Sequence, residues 1–317
     1  MSLQHLLRAK ERRRRPAVRA TLAASVGAVV LLLSGCSAES QDEWGRLAMP
    51  EPVTTQGEHT LDLWIGAWIA ALVTGVLVWG LIGWAVVRYR RRSDDEIPVQ
   101  TRYNLPLEIL YTVAPIIMVV VFFVQTVRVQ EIVISTEEPA DNVIEVVGQK
   151  WSWTFNYGLG ELDSAADEEN ADEEFPYDEY TYEVGTPSYI PTIKVPVDET
   201  TKFNLHSPDV IHNFGVPGFL VKMDVIPGRV NTYQVTPKRT GTFAGKCYEL
   251  CGAYHSRMLF NVEVVERAEY DAYLADLAEG GRQSATPLLG GEDVRTQVGL
   301  GDTTTETEPE ETVGDEE

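Results

Sequence analysis

Two cysteines, one histidine and one methionine fall within twelve residues of this sequence, in Lys246-Cys247-Tyr248-Glu249-Leu250-Cys251-Gly252-Ala253-Tyr254-His255-Ser256-Arg257-Met258. Soft sulfur donors with imidazole suit copper, and a weak axial methionine tunes the potential of electron-transfer copper sites. A further strong ligand has to come from elsewhere, and Ser207-Pro208-Asp209-Val210-Ile211-His212 offers His212. One cysteine in such a set would make a mononuclear copper site. Two can bridge a pair of metal ions, leaving one histidine for each. The competing readings are a Cys247–Cys251 disulfide, common in exported chains, and a Cys2His2 zinc site. A disulfide has no need of His212, His255 and Met258 at these spacings, and zinc does not select a thioether.

The elements that must position these donors read as short strands. Between about Asn142 and Glu266 the candidates are 143–147, 151–157, 192–195, 201–205, 230–235, 240–245 and 259–265, with Pro-Gly at 217–218 and 227–228 and Thr-Gly at 240–241 as turns. Seven or more short strands predict an all-β sandwich or barrel. Between Leu159 and Glu183 lie eleven acids and no Lys or Arg, which reads as a solvated insertion between strands. Residues 267–279 read as a short helix, and the eight acids without a base from Thr296 onward read as a disordered tail.

Ahead of the strands lie two apolar stretches. Leu63 to Val87 is 25 residues without a charge and Ile109 to Val127 is 19, enough to cross a hydrocarbon core of ~30 Å. Pro115 and Gln125 interrupt the second, but membrane helices tolerate proline. The loop between them holds Arg88, Arg90, Arg91, Arg92 and Arg102, so the positive-inside rule makes it cytoplasmic and sends both flanks outward. Trp64, Trp68 and Trp84 lie near the span ends, as interfacial anchors do. At the front, seven bases and one acid in residues 1–35 precede an uncharged stretch that stops at Cys36, the pattern of an export signal. Leu33-Ser34-Gly35-Cys36 resembles the lipobox of bacterial lipoproteins, in which the cysteine is lipidated. The chain of 317 residues carries 26 Lys+Arg against 48 Asp+Glu, a net −22, too acidic for a general nucleic-acid binder. Three cysteines are too few for a disulfide scaffold, and 44% hydrophobic content is too high for a disordered chain.

Over roughly residues 55 to 266 the sequence closely resembles subunit II of the haem–copper cytochrome c oxidases. The resemblance rests on Cys-x3-Cys-x3-His-x2-Met, the upstream Asp-Val-x-His, Lys222-Met223-Asp224 with Ile226-Pro227-Gly228-Arg229, Trp151-Ser152-Trp153, and Leu107 to Pro115 opening the second span. It implies a two-helix transmembrane hairpin followed by an all-β cupredoxin-like Greek-key barrel outside the membrane. It also implies a binuclear copper centre, CuA: Cys247 and Cys251 bridging, His212 and Met258 on one copper, His255 and the Glu249 backbone carbonyl on the other. Trp151 would take electrons from cytochrome c, the Glu249 side chain would bind a Mg ion shared with the catalytic subunit, and Glu108 would stand at the entrance of the K proton pathway. Asp209 would support the His212 loop, whereas His206, His59 and His5 match no ligand position. Tyr111, Lys246 and Tyr248 depart from the commonest residues of the family, none of them at a ligand.

The organisation that follows is a signal peptide over 1–35, an extracytoplasmic segment over 36–62, the transmembrane hairpin over 63–128, the CuA domain over 129–266 with its acidic insertion at 159–190, and a helix and acidic tail over 267–317. The lipobox, insertion and tail resemble actinobacterial forms. These imply oxidase subunits I and III as partners, and a membrane-bound cytochrome c subunit of a bc complex, in a supercomplex, as donor. A copper-free quinol oxidase subunit would have no use for these cysteines, histidines and Met258. A copper-delivery lipoprotein would not need two spans with Glu108 at a membrane edge, and nitrous oxide reductase needs a propeller domain for which there is no room.

Overall fold

The computed structural model describes residues 38–93, 97–137, 139–159, 177–186 and 188–290. The expected signal peptide, Cys36, most of the acidic insertion and the acidic tail lie outside the described residues. The chain divides into two compact units, Met1–Met49 and Pro50–Glu317. The first contains the helix α1 (Ala38–Gly45), followed by two residues with positive φ, Leu47 and Ala48.

The second unit opens with two long apolar helices, α2 (Thr55–Arg88) and α3 (Leu105–Ile134). Thr54 caps α2, its Oγ1 accepting from Gly57 N at 3.0 Å, which satisfies one of the first-turn donors. The start of α3 is capped reciprocally: Asn104 Oδ1 accepts from Leu107 N at 3.3 Å, and Glu108 Oε1 accepts from Asn104 N at 3.1 Å. Both helices outrun the uncharged stretches, continuing past Asp62 and Arg128, because caps end a helix and charges on an exposed turn do not. Val76, Leu77, Trp79, Val119 and Phe123 are exposed in the isolated chain. Helices apolar all round need lipid or other helices about them.

A strap joins the hairpin to the β domain. Val53 is buried between two turns: its N–H donates to Gly218 O at 2.7 Å and its carbonyl accepts from Lys238 N at 2.8 Å. Thr54 bridges Pro237, and Gln56 Oε1 accepts from Thr236 N at 3.0 Å.

The β domain has eleven strands: β1 (Asn142–Gln149), β2 (Ser152–Leu159), β3 (Glu179–Val184), β4 (Thr192–Pro196), β5 (Thr201–His206), β6 (His212–Val216), β7 (Val221–Val225), β8 (Asn231–Val235), β9 (Gly241–Cys247), β10 (Leu259–Val265) and β11 (Gln283–Ser284). One sheet has the order β11-β3-β2-β1-β5-β8 and the other β4-β10-β9-β6-β7. All pairs are antiparallel except β1 with β5 and β4 with β10. Alternation along β5 and β10 puts Phe203, Leu205, Phe260, Val262 and Val264 inward. They meet Trp153, Phe155, Phe214 and Tyr233 in a core where Phe214 and Phe260 stack at 4.6 Å between ring centroids. This is the two-helix, all-β cupredoxin-like architecture the motifs imply.

Three features differ from the sequence expectation. Strand β3 lies inside the segment 159–190 expected as an insertion, with Tyr180 and Thr181 fully buried; the acid content of the segment masks its short alternating run. Strands β6 and β7 surround the Pro217–Phe219 turn, where five-residue runs give too little periodicity to read. After α4 (Arg267–Glu279), residues 280–290 are ordered rather than part of a free tail. Arg282 pairs with the buried Glu183, β11 extends the sheet from β3, and Leu288 N donates to Asn156 Oδ1 at 2.8 Å.

Candidate metal centre

Strand β9 ends at Cys247 and β10 begins after Met258, so the loop between two paired strands carries most of the donors. Cys247 N donates to Met258 O at 3.0 Å, which closes the base of that loop. Strand β6 lies on the other side of β9, with Phe214 opposite Cys247, and its first residue, His212, therefore points at the same place. Cys247 Sγ is 3.9 Å from His212 Nδ1, 3.9 Å from Cys251 Sγ and 3.2 Å from the Glu249 carbonyl. Cys251 Sγ is 3.6 Å from His255 Nδ1 and 3.8 Å from Met258 Sδ. Both thiols are free, and His212, Cys247, Cys251 and Met258 are buried. The His212, Cys247 and Cys251 donor atoms lie within 4.8 Å of one another. All six expected ligand groups thus converge.

The neighbours orient the donors. Asp209 Oδ1 lies 2.8 Å from His212 Nε2, so Nε2 carries the proton and Nδ1 turns its lone pair toward Cys247. Asp209 is itself held by the N–H groups of Lys150, at 2.8 Å, and Val210, at 2.6 Å. Burial opposes ionisation of Asp209, but the bonds from His212, Lys150 and Val210 outweigh it and hold the carboxyl below its usual range. Burial likewise opposes charge on His212, and the Asp209 carboxylate raises its pKa all the same. Burial would raise the Cys247 thiol, yet its polar contacts with His212, Asn213 and Glu249 bring it to about 7. Cys251 is pushed up to about 12 by burial and by the neighbouring Cys247.

The two tryptophans of the Trp-Ser-Trp run both touch this loop. Trp151 donates from Nε1 to Cys251 O at 3.2 Å and packs edge-on against Tyr254 at 5.0 Å, its ring partly exposed. Trp153 is fully buried, donates to Met258 O at 3.3 Å and lies 6.3 Å from the His212 ring. No role for Trp153 is read from sequence; it lies in β2, whereas Trp151 lies in the turn just before that strand. Glu249 lines an open cavity of about 460 Å³ with Asn213, Asp224, Asn231 and Lys222, so its two carboxylates share the space with an ammonium group. Glu108 lies outside this cluster and serves as a helix cap. His206 Nε2 pairs with the buried Glu145 at 2.6 Å, a structural contact.

Residues 142–265 match the family model "Cytochrome C oxidase subunit II, periplasmic domain". The chain is 46% identical over 295 residues to a probable cytochrome c oxidase subunit 2 of Streptomyces avermitilis, covering 86% of this chain and 92% of that one. It is 35% identical over 302 residues to the cytochrome c oxidase subunit 2 of Mycobacterium tuberculosis, covering 82% of each. Among solved structures, the periplasmic domain of subunit II of cytochrome oxidase (CoxB) of Bradyrhizobium japonicum matches at 28% identity with a TM-score of 0.37, over 45% of this chain and 97% of that one.

Proposed function

We propose, from the premise that this chain belongs to the cytochrome c oxidase subunit II family, that it is the electron-accepting subunit of a proton-pumping oxidase. The observation that carries this reading is the convergence of two free thiols, two imidazole Nδ1 atoms, a thioether and one carbonyl from the start of β6 and the connection from β9 to β10. The donor set fits two copper ions: Cys247 and Cys251 would hold both, His212 and Met258 one, His255 and the Glu249 carbonyl the other. When bound, such a pair supplies a one-electron carrier whose bond lengths change little on reduction, because the electron is shared over two metals. Thiolates and a thioether argue for copper over zinc, and a 3.9 Å separation of free sulfurs argues for ligands over a disulfide.

The chain's own residues do the rest. Trp151, partly exposed and bonded to Cys251 O, receives the electron from cytochrome c and places it in contact with the buried donors. Asp209 and the Lys150 amide keep His212 in one tautomer and orientation. The aromatic core beneath Trp153 keeps water from the thiols. The haem that would accept the electron, and the reduction of oxygen to water, would belong to the catalytic subunit. Glu249 would meet that subunit through a shared Mg ion, and Glu108 would stand at the mouth of the K pathway while capping α3. The arginines after α2 favour an inside loop and a barrel on the extracytoplasmic face, with cleavage before Cys36 and its acylation anchoring the N-terminus. Subunits I and III and a membrane-bound cytochrome c of a bc complex would be its neighbours in the bacterial cell membrane.

Metal analysis of the purified full-length chain tests the reading. Two coppers per chain are expected, falling to none in Cys247→Ser/Cys251→Ser; zinc as the bound metal, or a Cys247–Cys251 disulfide in the isolated chain, would refute it. The mass of the mature chain tests the anchor: an unmodified Met1 terminus would overturn it.

A further inference from the structure

The chain after β11 crosses a sheet face that the aromatic core does not use. Trp153, Phe155 and Tyr157 of β2 belong to that core, so Asn156, alternating with them, points to the opposite face. It is nevertheless 0% exposed, with residues 287–290 lying over it. Asn156 Oδ1 accepts from Leu288 N at 2.8 Å, and its Nδ2 donates to Leu288 O and to Glu145 O, both at 3.2 Å. The side-chain amide thus pairs with the Leu288 backbone in both directions, and Pro287 beside it is buried.

Two residues further on, Gly290, with φ +91°, is wedged between two turns: a Cβ there would stand 2.6 Å from Gln149 Oε1 and 2.7 Å from Pro208 Cγ. Gln149 ends β1 and precedes Lys150, whose N–H donates to Asp209 Oδ2, and Pro208 precedes Asp209 itself. The segment therefore touches both sides of the bond that ties the β1–β2 turn to the His212 loop. On the same turn, Gly148 lies against the His212 side chain, where a Cβ would come within 3.3 Å of His212 Cβ and Cδ2. We propose that residues 287–290 are a brace for the metal centre: clamped on Asn156, Gln149 and Pro208, they hold the β1–β2 turn and the His212 loop together and so keep Asp209 behind the imidazole. Leu288 and Gly290 are positioning residues. A donor held in place before the metal arrives loses less freedom on binding, so a loosened brace shows as lost affinity. The inference rests on the reading of His212 as a copper ligand and adds to it a device outside the donor loops.

The test compares two chains with helices and barrel intact, one ending at Gly290 and one at Thr286; the second keeps β11 and the Arg282–Glu183 pair. Copper affinity, measured by chelator competition, is expected to be about threefold to tenfold lower in the chain ending at Thr286, less than the ~10–100-fold loss typical of removing the carboxylate itself. With Asp209→Ala in both chains the difference should vanish, because the bond that the brace holds is gone. In the metal-free chains, hydrogen exchange at the Lys150 amide should be about tenfold faster in the one ending at Thr286, as expected of a local opening. Gly290→Val in the full-length chain removes no bond but pries Gln149 from Pro208. It should shift affinity and exchange in the same direction, and it decides the matter if the chain ending at Thr286 does not fold. Affinity that agrees between the two chains within about twofold, unchanged Lys150 exchange, or an equal loss with and without the Asp209 carboxylate would each overturn the brace. An unaltered chain that binds no copper would refute the metal reading instead, and Lys150 exchange would then decide whether the brace holds the turn.

Discussion

Replacing Asp209 should separate the orientation of His212 from the integrity of its loop. The carboxylate accepts from three N–H groups: His212 Nε2 at 2.8 Å and Val210 N at 2.6 Å on Oδ1, and Lys150 N at 2.8 Å on Oδ2. Asn keeps one oxygen. If that oxygen stays with His212 and Val210, the amide NH2 faces the Lys150 N–H, donor against donor. Leaving such a part-buried donor unsatisfied costs about 1–3 kcal/mol, while the His212 tautomer survives. Ala removes both acceptor oxygens and with them all three bonds, freeing the imidazole, and loss of a carboxylate behind a metal-binding histidine typically lowers metal affinity ~10–100-fold. Asp209→Asn should therefore lose stability with a small change in copper affinity, and Asp209→Ala should lose both. Chelator competition gives the affinity and thermal unfolding of the metal-free chain the stability. The pH dependence has a definite sign. A carboxyl held below its usual range contributes stability that is present above the ordinary carboxyl pKa and is lost as pH falls through the depressed one. Asp209→Asn should flatten that acid limb. Copper affinity unchanged within twofold in Asp209→Ala would refute the orienting role.

Trp151→Phe keeps an aromatic ring but loses the 3.2 Å bond to Cys251 O; copper content should stay whole while the rate of reduction by cytochrome c falls, measured by stopped-flow absorbance, and an unchanged rate would remove Trp151 from the path. Val53 is 1% exposed and sits 2.7 Å from where a Gly218 Cβ would be. Val53→Ala should cost about 2–3 kcal/mol of stability through lost burial and a cavity, and Gly218→Ala should cost less in the Val53→Ala background than alone, the coupling expected of a shared contact. With Cys247 brought to about 7, Cys251 pushed up to about 12 and His212 raised, copper loading near neutral pH should displace at least one proton, so apparent affinity should rise by about tenfold per pH unit or more and fall most steeply where His212 and Cys247 are protonated too. Proton release in weak buffer checks it.

Spacing alone makes the donor cluster legible, because Cys247, Cys251, His255 and Met258 lie on one short loop and chemistry restricts what such a set can serve. His212 is legible only through the need for a further ligand and the Asp-Val-x-His motif, since its proximity to Cys247 comes from β6 pairing with β9 across 35 residues of sequence. The helices are plain from uncharged length; their extra turns are not, because the caps at Thr54 and Asn104 lie beyond the apolar runs. Strand β3 is obscured by its acids, and the Leu288 clasp on Asn156 is a tertiary hydrogen bond with no local signature. Trp153 shows only as part of an aromatic run; that it is buried and also braces Met258 and His212 depends on how β2 lies across the loop.

That these six groups hold two coppers sharing one electron is tested most directly by EPR of the oxidised full-length chain, with its copper content measured on the same sample. Two coppers per chain are predicted, with hyperfine structure from one unpaired electron spread over two equivalent nuclei. One copper with single-nucleus hyperfine lines, or a silent chain without copper, would contradict it.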